Sequence, residues 1–557
     1  MIHTAQTQVG GPRSFSREPP RWLLLAGVVS VVAGVISTLH WAGLSYLFDD
    51  AFITFRYADN LSKGIGLAWN SGGEPTQGST TLLTVMMLAT GRSVGVDPET
   101  LMHLLNGLGL IVTAIAIYWV VFTLIQDSWL ALLGPLALIG SPIVIANTFS
   151  GMATMFWTGL TFAGAASVST YLSSAKTRYL VAAVVLAMAS TLTRPEGFGL
   201  GLAWFALLIL LEPKRRVRAG IATAAYLVAT AAYAFWLSAT YGSPWPNSFY
   251  IKVADPLLSQ RFPGEWYVRS FVYHEAISFA SFSLALPFLM RKDRLRSWLP
   301  FSVVCLLLPL YVVTAPLAGH HYRFLVPVAC FLQGLIIVGP LLLARRLYFA
   351  SRAPNRWGGL VRGWMSPTIF AALATVALLA LAGRNLATNF LHPNRIRPSA
   401  QDTIRVGRTL SEVVGIESVR MALGEAGAIP FYSGAQHFDP IGLNDNAIAR
   451  YGRERGCAWI IDRLFAWKPD LVGIQTFRDG SFGVGAGHGV LGGHFGELYF
   501  DPRFKEYIYI GGTDIKNTYR HWWVHPDSPS RIELIAALEP LTDFSHFEFR
   551  AASNFTR

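Results

Sequence analysis

Residues 49–60 read Asp-Asp-Ala-Phe-Ile-Thr-Phe-Arg-Tyr-Ala-Asp-Asn. An uncharged apolar run, Trp22–Leu39, precedes them, and Arg13, Arg17 and Arg21 precede that run. Basic residues stay on the cytoplasmic side, so the run is expected to leave Asp49 and Asp50 at its outer end. Adjacent like charges raise one pKa, and partial desolvation at the membrane boundary raises it further. A carboxylate tuned in that way can take a proton from an attacking hydroxyl. The plainer alternative is a solvated acidic pair that marks a helix end.

The surrounding chain bears out a membrane setting. Hydrophobic residues make up 52% of the 557 and charged residues 14%, against about 25% charged in a soluble domain. Mean hydropathy is +0.40. A disordered chain, a fibrous repeat and an ordinary cytosolic enzyme are excluded. A span needs about 20 apolar residues. Beyond the first run the candidates are Gly107–Ile125, Trp129–Asn147, Met152–Tyr171, Tyr179–Thr193, Gly197–Leu211, Ala219–Tyr241, Ala276–Met290, Trp298–Gly319, Phe324–Ala344 and Gly363–Gly383. The prediction is an α-helical polytopic membrane protein with about eleven transmembrane helices.

The net charge of +12 supports that count. Lys214, Arg215, Arg216 and Arg218 form one basic cluster, Arg291, Lys292, Arg294 and Arg296 another, and Arg345 to Arg362 a third. Eleven spans with a cytoplasmic N-terminus place every cluster inside. This requires Thr80–Val96 to lie along the outer surface as a helix rather than to span. The expected organisation is a cytoplasmic tail at 1–21, a transmembrane domain at 22–383 with an outer loop at 48–101, and an extracytoplasmic domain at 384–557. Short apolar runs separated by Gly, Pro, Asn and Asp predict mixed α/β structure there. Cys305, Cys330 and Cys457 make neither a disulfide framework nor a metal spacing. His488 and His494 lack a partnering Cys or HExxH pattern, no P-loop is present, and no basic-aromatic strip suggests nucleic acid.

The string DDAFITFRYADNLSKGIGLAWNSGGEPTQG, residues 49–78, is followed in order by SGMAT (150–154), TRPEG (193–197), YGSPWPNSFYIK (241–252), HYRFLVPV (321–328), and GEAGAIPFYSG (424–434) with DPIGLND (439–445). Together these blocks resemble the GT-C membrane glycosyltransferases, in particular the branch of actinobacterial cell-wall arabinofuranosyltransferases. The resemblance implies an inverting transferase at the outer face of a bacterial inner membrane. Its donor would be a polyprenyl-phosphate sugar, with arabinofuranose the leading candidate, and its acceptor a cell-envelope hydroxyl on a glycan, lipid or protein. No cofactor, catalytic metal or nucleic-acid partner is expected.

A single displacement needs one base, and a phosphate leaving group needs cations. The base would be Asp49 or Asp50; Asp49 matches the first Asp of the motif and is slightly preferred. Arg56 either holds a carboxylate or meets the donor phosphate. Arg194, Lys252, His320, His321 and Arg323 gather at outer helix ends and are the further phosphate-binding candidates; an ion pair between Arg194 and Glu196 and ordinary snorkelling of Arg323 are the alternatives. Tyr57, Glu74, Gln77, Glu196, Asn247 and Tyr250 are the substrate-binding candidates. Two departures stand out: Gln77 replaces the usual Glu, and Ala153 replaces the Glu of SGLET. In the tail, Glu425, Asp439, Asn444 and Asp445 either contact an extended glycan or close loops, and the loop reading is favoured. A transporter or flippase of lipid-linked sugars and a non-catalytic glycan-binding relative are the competing functions.

Overall fold

The computed structural model describes residues 47–252, 264–314, 320–351, 400–478, 480–482, 493–515, 518–547 and 549, with a few positions between 27 and 34. Most of the first candidate span, all of Gly363–Gly383 and the proposed boundary at 384 lie outside the described residues. Within them, four helical stretches are long and apolar enough to cross a bilayer: Pro98–Ile125, Pro213–Tyr241, Arg294–Val313 and His321–Arg346. Two bent pairs raise the number to as many as six, and Thr177–Thr193 and Glu196–Leu211 are shorter apolar helices.

Two boundaries differ from expectation for local reasons. Trp129–Asn147 is not one rod. Its helices Leu130–Ile139 and Pro142–Phe149 meet at 57°, because Gly140 and Ser141 interrupt the run and Pro142 fits only a new first turn. The Ser141 hydroxyl caps that turn by accepting from the Val144 N–H at 3.3 Å. The short run at Ala276 continues a helix at Gly264–His274, bent from it by 75°, so the helical stretch begins ahead of the apolar run. Leu82–Ser93, inside the expected surface helix, has 12 residues. At about 1.5 Å per residue it is too short to span.

Helix Pro98–Ile125 is started by Asp97, whose carboxylate accepts from the N–H groups of Glu99 and Thr100 at 3.0 and 3.1 Å, with Pro98 at the position that needs no donor. It packs against Thr154–Ser174 through two glycines. A Cβ on Gly109 would lie 2.2 Å from the Met155 carbonyl oxygen, and one on Gly159 2.6 Å from Gly109 Cα. Without a side chain at either position the backbones touch, which is how apolar helices associate where water supplies no driving force.

The tail forms a five-stranded sheet: β1 Arg420–Leu423, β2 Gln436–Phe438, β3 Leu471–Phe477, β4 Ile508–Ile515 and β5 Thr518–Val524. The order is β2-β1-β3-β5-β4. β2, β1 and β3 are parallel, and β5 and β4 add antiparallel. Adjacent side chains in a strand face opposite ways, so Leu471 and Trp522 pack with Leu410 and Leu534 while Val472 and Trp523 pack with Ile460 and Leu498. The sheet is therefore covered on both faces, and its helix Ala428–Ser433 rests on the helix Ala51–Ser62 of loop 48–101 through Phe52, Ala428 and Phe431.

Candidate functional site

A cavity of about 390 Å³ opens where loop 48–101, several helix ends and the tail converge. The acidic pair stands at its edge, and the chain turns the two carboxylates apart. Asp50 lines the cavity. Its Oδ2 lies 3.0 Å from Nη2 of Arg323. Asp49 faces the tail: its Oδ1 accepts from the Thr403 hydroxyl at 2.9 Å and from the Ala428 N–H at 3.0 Å. Burial, reinforced by the charge of Glu425, pushes the Asp49 carboxyl up to about 6, although those two donors pull the other way.

Arg323 is 4% exposed, and its Nε and Nη1 are buried with no hydrogen-bond partner among the described residues. His321 and Tyr322, just before it, hold positive φ angles of 49° and 53°. Bulky residues adopt that region at a cost of order 1–3 kcal/mol each, and the resulting kink breaks the helix before Arg323. Arg323 and Arg194 both approach the ring of Phe324, with guanidinium-to-ring distances of 5.0 Å and 5.2 Å. Pro195 ends the preceding helix, leaving Arg194 extended. Its Nη2 and Nε meet the Glu196 carboxylate at 2.7 and 3.3 Å, and the Tyr311 hydroxyl donates to the same carboxylate. The ion pair considered for Arg194 is thus present, and the pair lines the cavity.

The lining also carries hydroxyls: those of Thr54 and Ser79 are 3.2 Å apart, and those of Ser79 and Thr81 3.0 Å. Ala153 lines the cavity too, so the missing carboxylate leaves room there. Sequence reasoning overlooked Thr54, Thr81 and Tyr311; the run Ser79-Thr80-Thr81 beside a glycine was the one available signal. Trp245, Phe249 and Leu310 complete an apolar side.

Other candidates stand elsewhere. Arg56 is buried and committed to four protein oxygens: Trp69 O at 2.9 Å, Asn70 Oδ1 at 3.2 Å, Ala435 O at 2.8 Å and Pro430 O. It clamps loop to tail and does not line the cavity. Tyr57 is buried at the same joint, bonded to Thr76, Asn444 and the Gly78 N–H. Asn247 donates to Leu443 O and Asn446 Oδ1, both at 3.1 Å. Gln77 is buried and accepts from the Asn247 N–H through its carbonyl. Tyr250 bonds Ser243 at 2.8 Å, and Glu74 is exposed. The His321 carbonyl accepts from Asn147 and its ring meets Phe48. The side chains of Lys252 and His320, and the whole of His488, lie outside the description. Among the described residues, no group of three or more His, Cys, Asp or Glu side chains could hold a metal ion.

No curated protein matches the chain. A family model described as a domain of unknown function (DUF8728) matches residues 393–528. Among solved structures, ArnT from Cupriavidus metallidurans bound to undecaprenyl phosphate is similar at a TM-score of 0.58 and 13% identity, over 91% of this chain and 98% of that one. ArnT in the apo state gives 0.55 and 12%, over 93% and 99%. Arabinosyltransferase EmbB from Mycobacterium smegmatis is a looser likeness, at 0.39 and 16%, over 85% of this chain and 46% of that one. This chain therefore shares its fold with ArnT over nearly the whole length of both chains.

Proposed function

We propose that the chain is an inverting glycosyltransferase that moves a monosaccharide from polyprenyl phosphate to a hydroxyl of a cell-envelope acceptor, at the outer face of a bacterial inner membrane. Asp50 is the general base. Arabinofuranose is the first sugar to try. The observation that carries this reading is the pairing of a cavity-lining carboxylate with a buried arginine, two of whose N–H-bearing nitrogens meet no acceptor among the described residues. A buried donor without a partner costs about 1–3 kcal/mol, and a phosphate would accept from both nitrogens. Arg194, already neutralised by Glu196, adds a dipole rather than a free charge. The apolar side chains of the lining suit the first isoprene units of a lipid, and its hydroxyls suit a sugar.

In the reaction, Asp50 accepts the acceptor proton as the oxygen attacks the anomeric carbon. The carbon–phosphate oxygen bond breaks with inversion, and Arg323 steadies the departing phosphate. Asp49 positions the loop: its Oδ1 bonds hold the residue next to the base against the tail. The likeness to a structure bound to undecaprenyl phosphate supports the donor class.

The test is sugar transfer by the full chain in nanodiscs, with radiolabelled polyprenyl-phosphate arabinofuranose and a mixed envelope acceptor. Asp50→Asn is expected to lose about 10²–10⁴-fold in kcat, and Asp49→Asn less than about tenfold. Equal loss in both, or full activity in Asp50→Asn, sinks the base assignment. Wild-type protein that moves the lipid across the bilayer without transfer sinks the enzyme reading.

A further inference from the structure

A second cavity, of about 340 Å³, lies beside the first, between the outer loop and the tail. Its volume falls at the lower end of ligand pockets, roughly 300–1,000 Å³. The two cavities share a wall: Leu443 lines the first, and the next two residues, Asn444 and Asp445, line the second.

That wall is fixed. Asp439 accepts from the N–H groups of Ile441, Gly442 and Asn444 at 3.0, 3.2 and 2.8 Å, and from Nδ2 of Asn444 at 3.0 Å. Tyr57 donates to Asn444 Oδ1 at 3.2 Å. Around this loop stand Asn70, Asp445, Arg463 and Trp467. Arg463 Nη2 meets Asp445 at 3.2 Å, while its Nε is buried with no partner among the described residues. Trp467 is half-buried, with its ring 5.7 Å from that of Phe438.

These groups favour a neutral, many-hydroxyl ligand. The carboxylates of Asp439 and Asp445 repel an anion, and Arg463 is already paired. A cation finds Asp439 saturated by four N–H bonds and Asp445 neutralised. Sugar hydroxyls donate and accept at once, which a carboxylate–guanidinium pair answers, and a sugar's C–H face packs on an indole. A loop already held rigid costs little to order on binding.

We propose that this second cavity is a saccharide subsite, taking a sugar of the acceptor chain other than the one that is glycosylated. It rests on the transferase reading and narrows the acceptor to a neutral oligosaccharide. The test uses the full chain in nanodiscs with neutral arabinan and galactan tetrasaccharides and the matching octyl monosaccharides. Saturation-transfer NMR reads binding without catalysis. Wild type is expected to bind at least one tetrasaccharide. Trp467→Ala and Arg463→Met are expected to weaken that binding about tenfold and to erase the KM preference for the tetrasaccharide over the monosaccharide. If either variant unfolds, Ala466→Trp plugs the cavity from its exposed rim and should do the same. Wild-type binding of neither tetrasaccharide, or unchanged binding and preference in the folded variants, overturns the subsite. Tetrasaccharide binding that Trp467→Ala abolishes, with no transfer to any acceptor by wild type, keeps the subsite and removes the transferase.

Discussion

Two buried arginines, Arg56 in the joint between loop and tail and Arg323 in the cavity, are almost equally hidden, at 6% and 4% exposure. Their surroundings differ. Arg56 has four protein acceptors and the Trp69 ring 4.6 Å away. Among the described residues, Arg323 has one carboxylate partner and two nitrogens without an acceptor. A buried polar group without partners is expensive, so a fold keeps one where something else completes it. Satisfaction, more than burial, separates the arginine that ties loop to tail from the one that lines the cavity.

Exchanging each arginine for glutamine should split stability from activity. Arg56→Gln strands several buried carbonyls and is expected to cost about 3 kcal/mol, seen as a lower unfolding temperature and faster proteolysis of the tail. Arg323→Gln removes an incompletely satisfied charge, so its unfolding temperature should stay near wild type, while the KM for the lipid donor rises at least about tenfold. Loss of stability in Arg323→Gln with donor KM unchanged would erase the contrast.

A smaller effect tests the division between Asp49 and Asp50. A Cβ on Gly427 would come 1.8 Å from Asp49 Oδ2. Gly427→Ala must push the tail from the loop, at a cost of about 1–3 kcal/mol. Calorimetry of Gly427→Ala alone and combined with Asp49→Gly reads it; relief of the loss in the double variant is expected, and additive losses would place the clash elsewhere.

The smallest effect is a pH dependence at the joint. Burial, and then the charge of Arg56, hold the His437 imidazole down to about 3. Its Nδ1 accepts from the Trp69 indole N–H at 2.9 Å, which a second ring proton would forbid. The unfolded chain takes up that proton near 6.5 and the folded chain does not, so this contribution to stability is present above 6.5 and lost as pH falls toward 3. Asp49 and Asp439, both raised to about 6 chiefly by burial, act in the opposite sense. The difference between wild type and His437→Gln isolates the imidazole. Wild type should lose more unfolding temperature than the variant between pH 7 and 5; parallel curves would remove His437 from the joint.

Much of this protein was legible along the chain. Apolar runs mark helices such as Thr177–Thr193 and Glu196–Leu211, since a run without charge has few places to go except lipid or a core. The interruption at Arg194-Pro195 and the failure of Thr80–Val96 to form a long rod could be read from proline and from the basic clusters. The motif blocks picked out three charged side chains that line the cavity, Arg194, Glu196 and Arg323, besides Asp50. What neighbours along the chain could not decide was direction. Asp49 and Asp50 are adjacent and identical, and which one faces the cavity depends on Thr403 and Ala428, more than 350 positions away. Arg56 looked like Arg323 until Pro430 and Ala435 of the tail closed around it. Composition and periodicity report how much surface a segment must hide, which is a local sum. Whether a buried charge is satisfied depends on atoms brought from distant segments, and only the assembled structure supplies them.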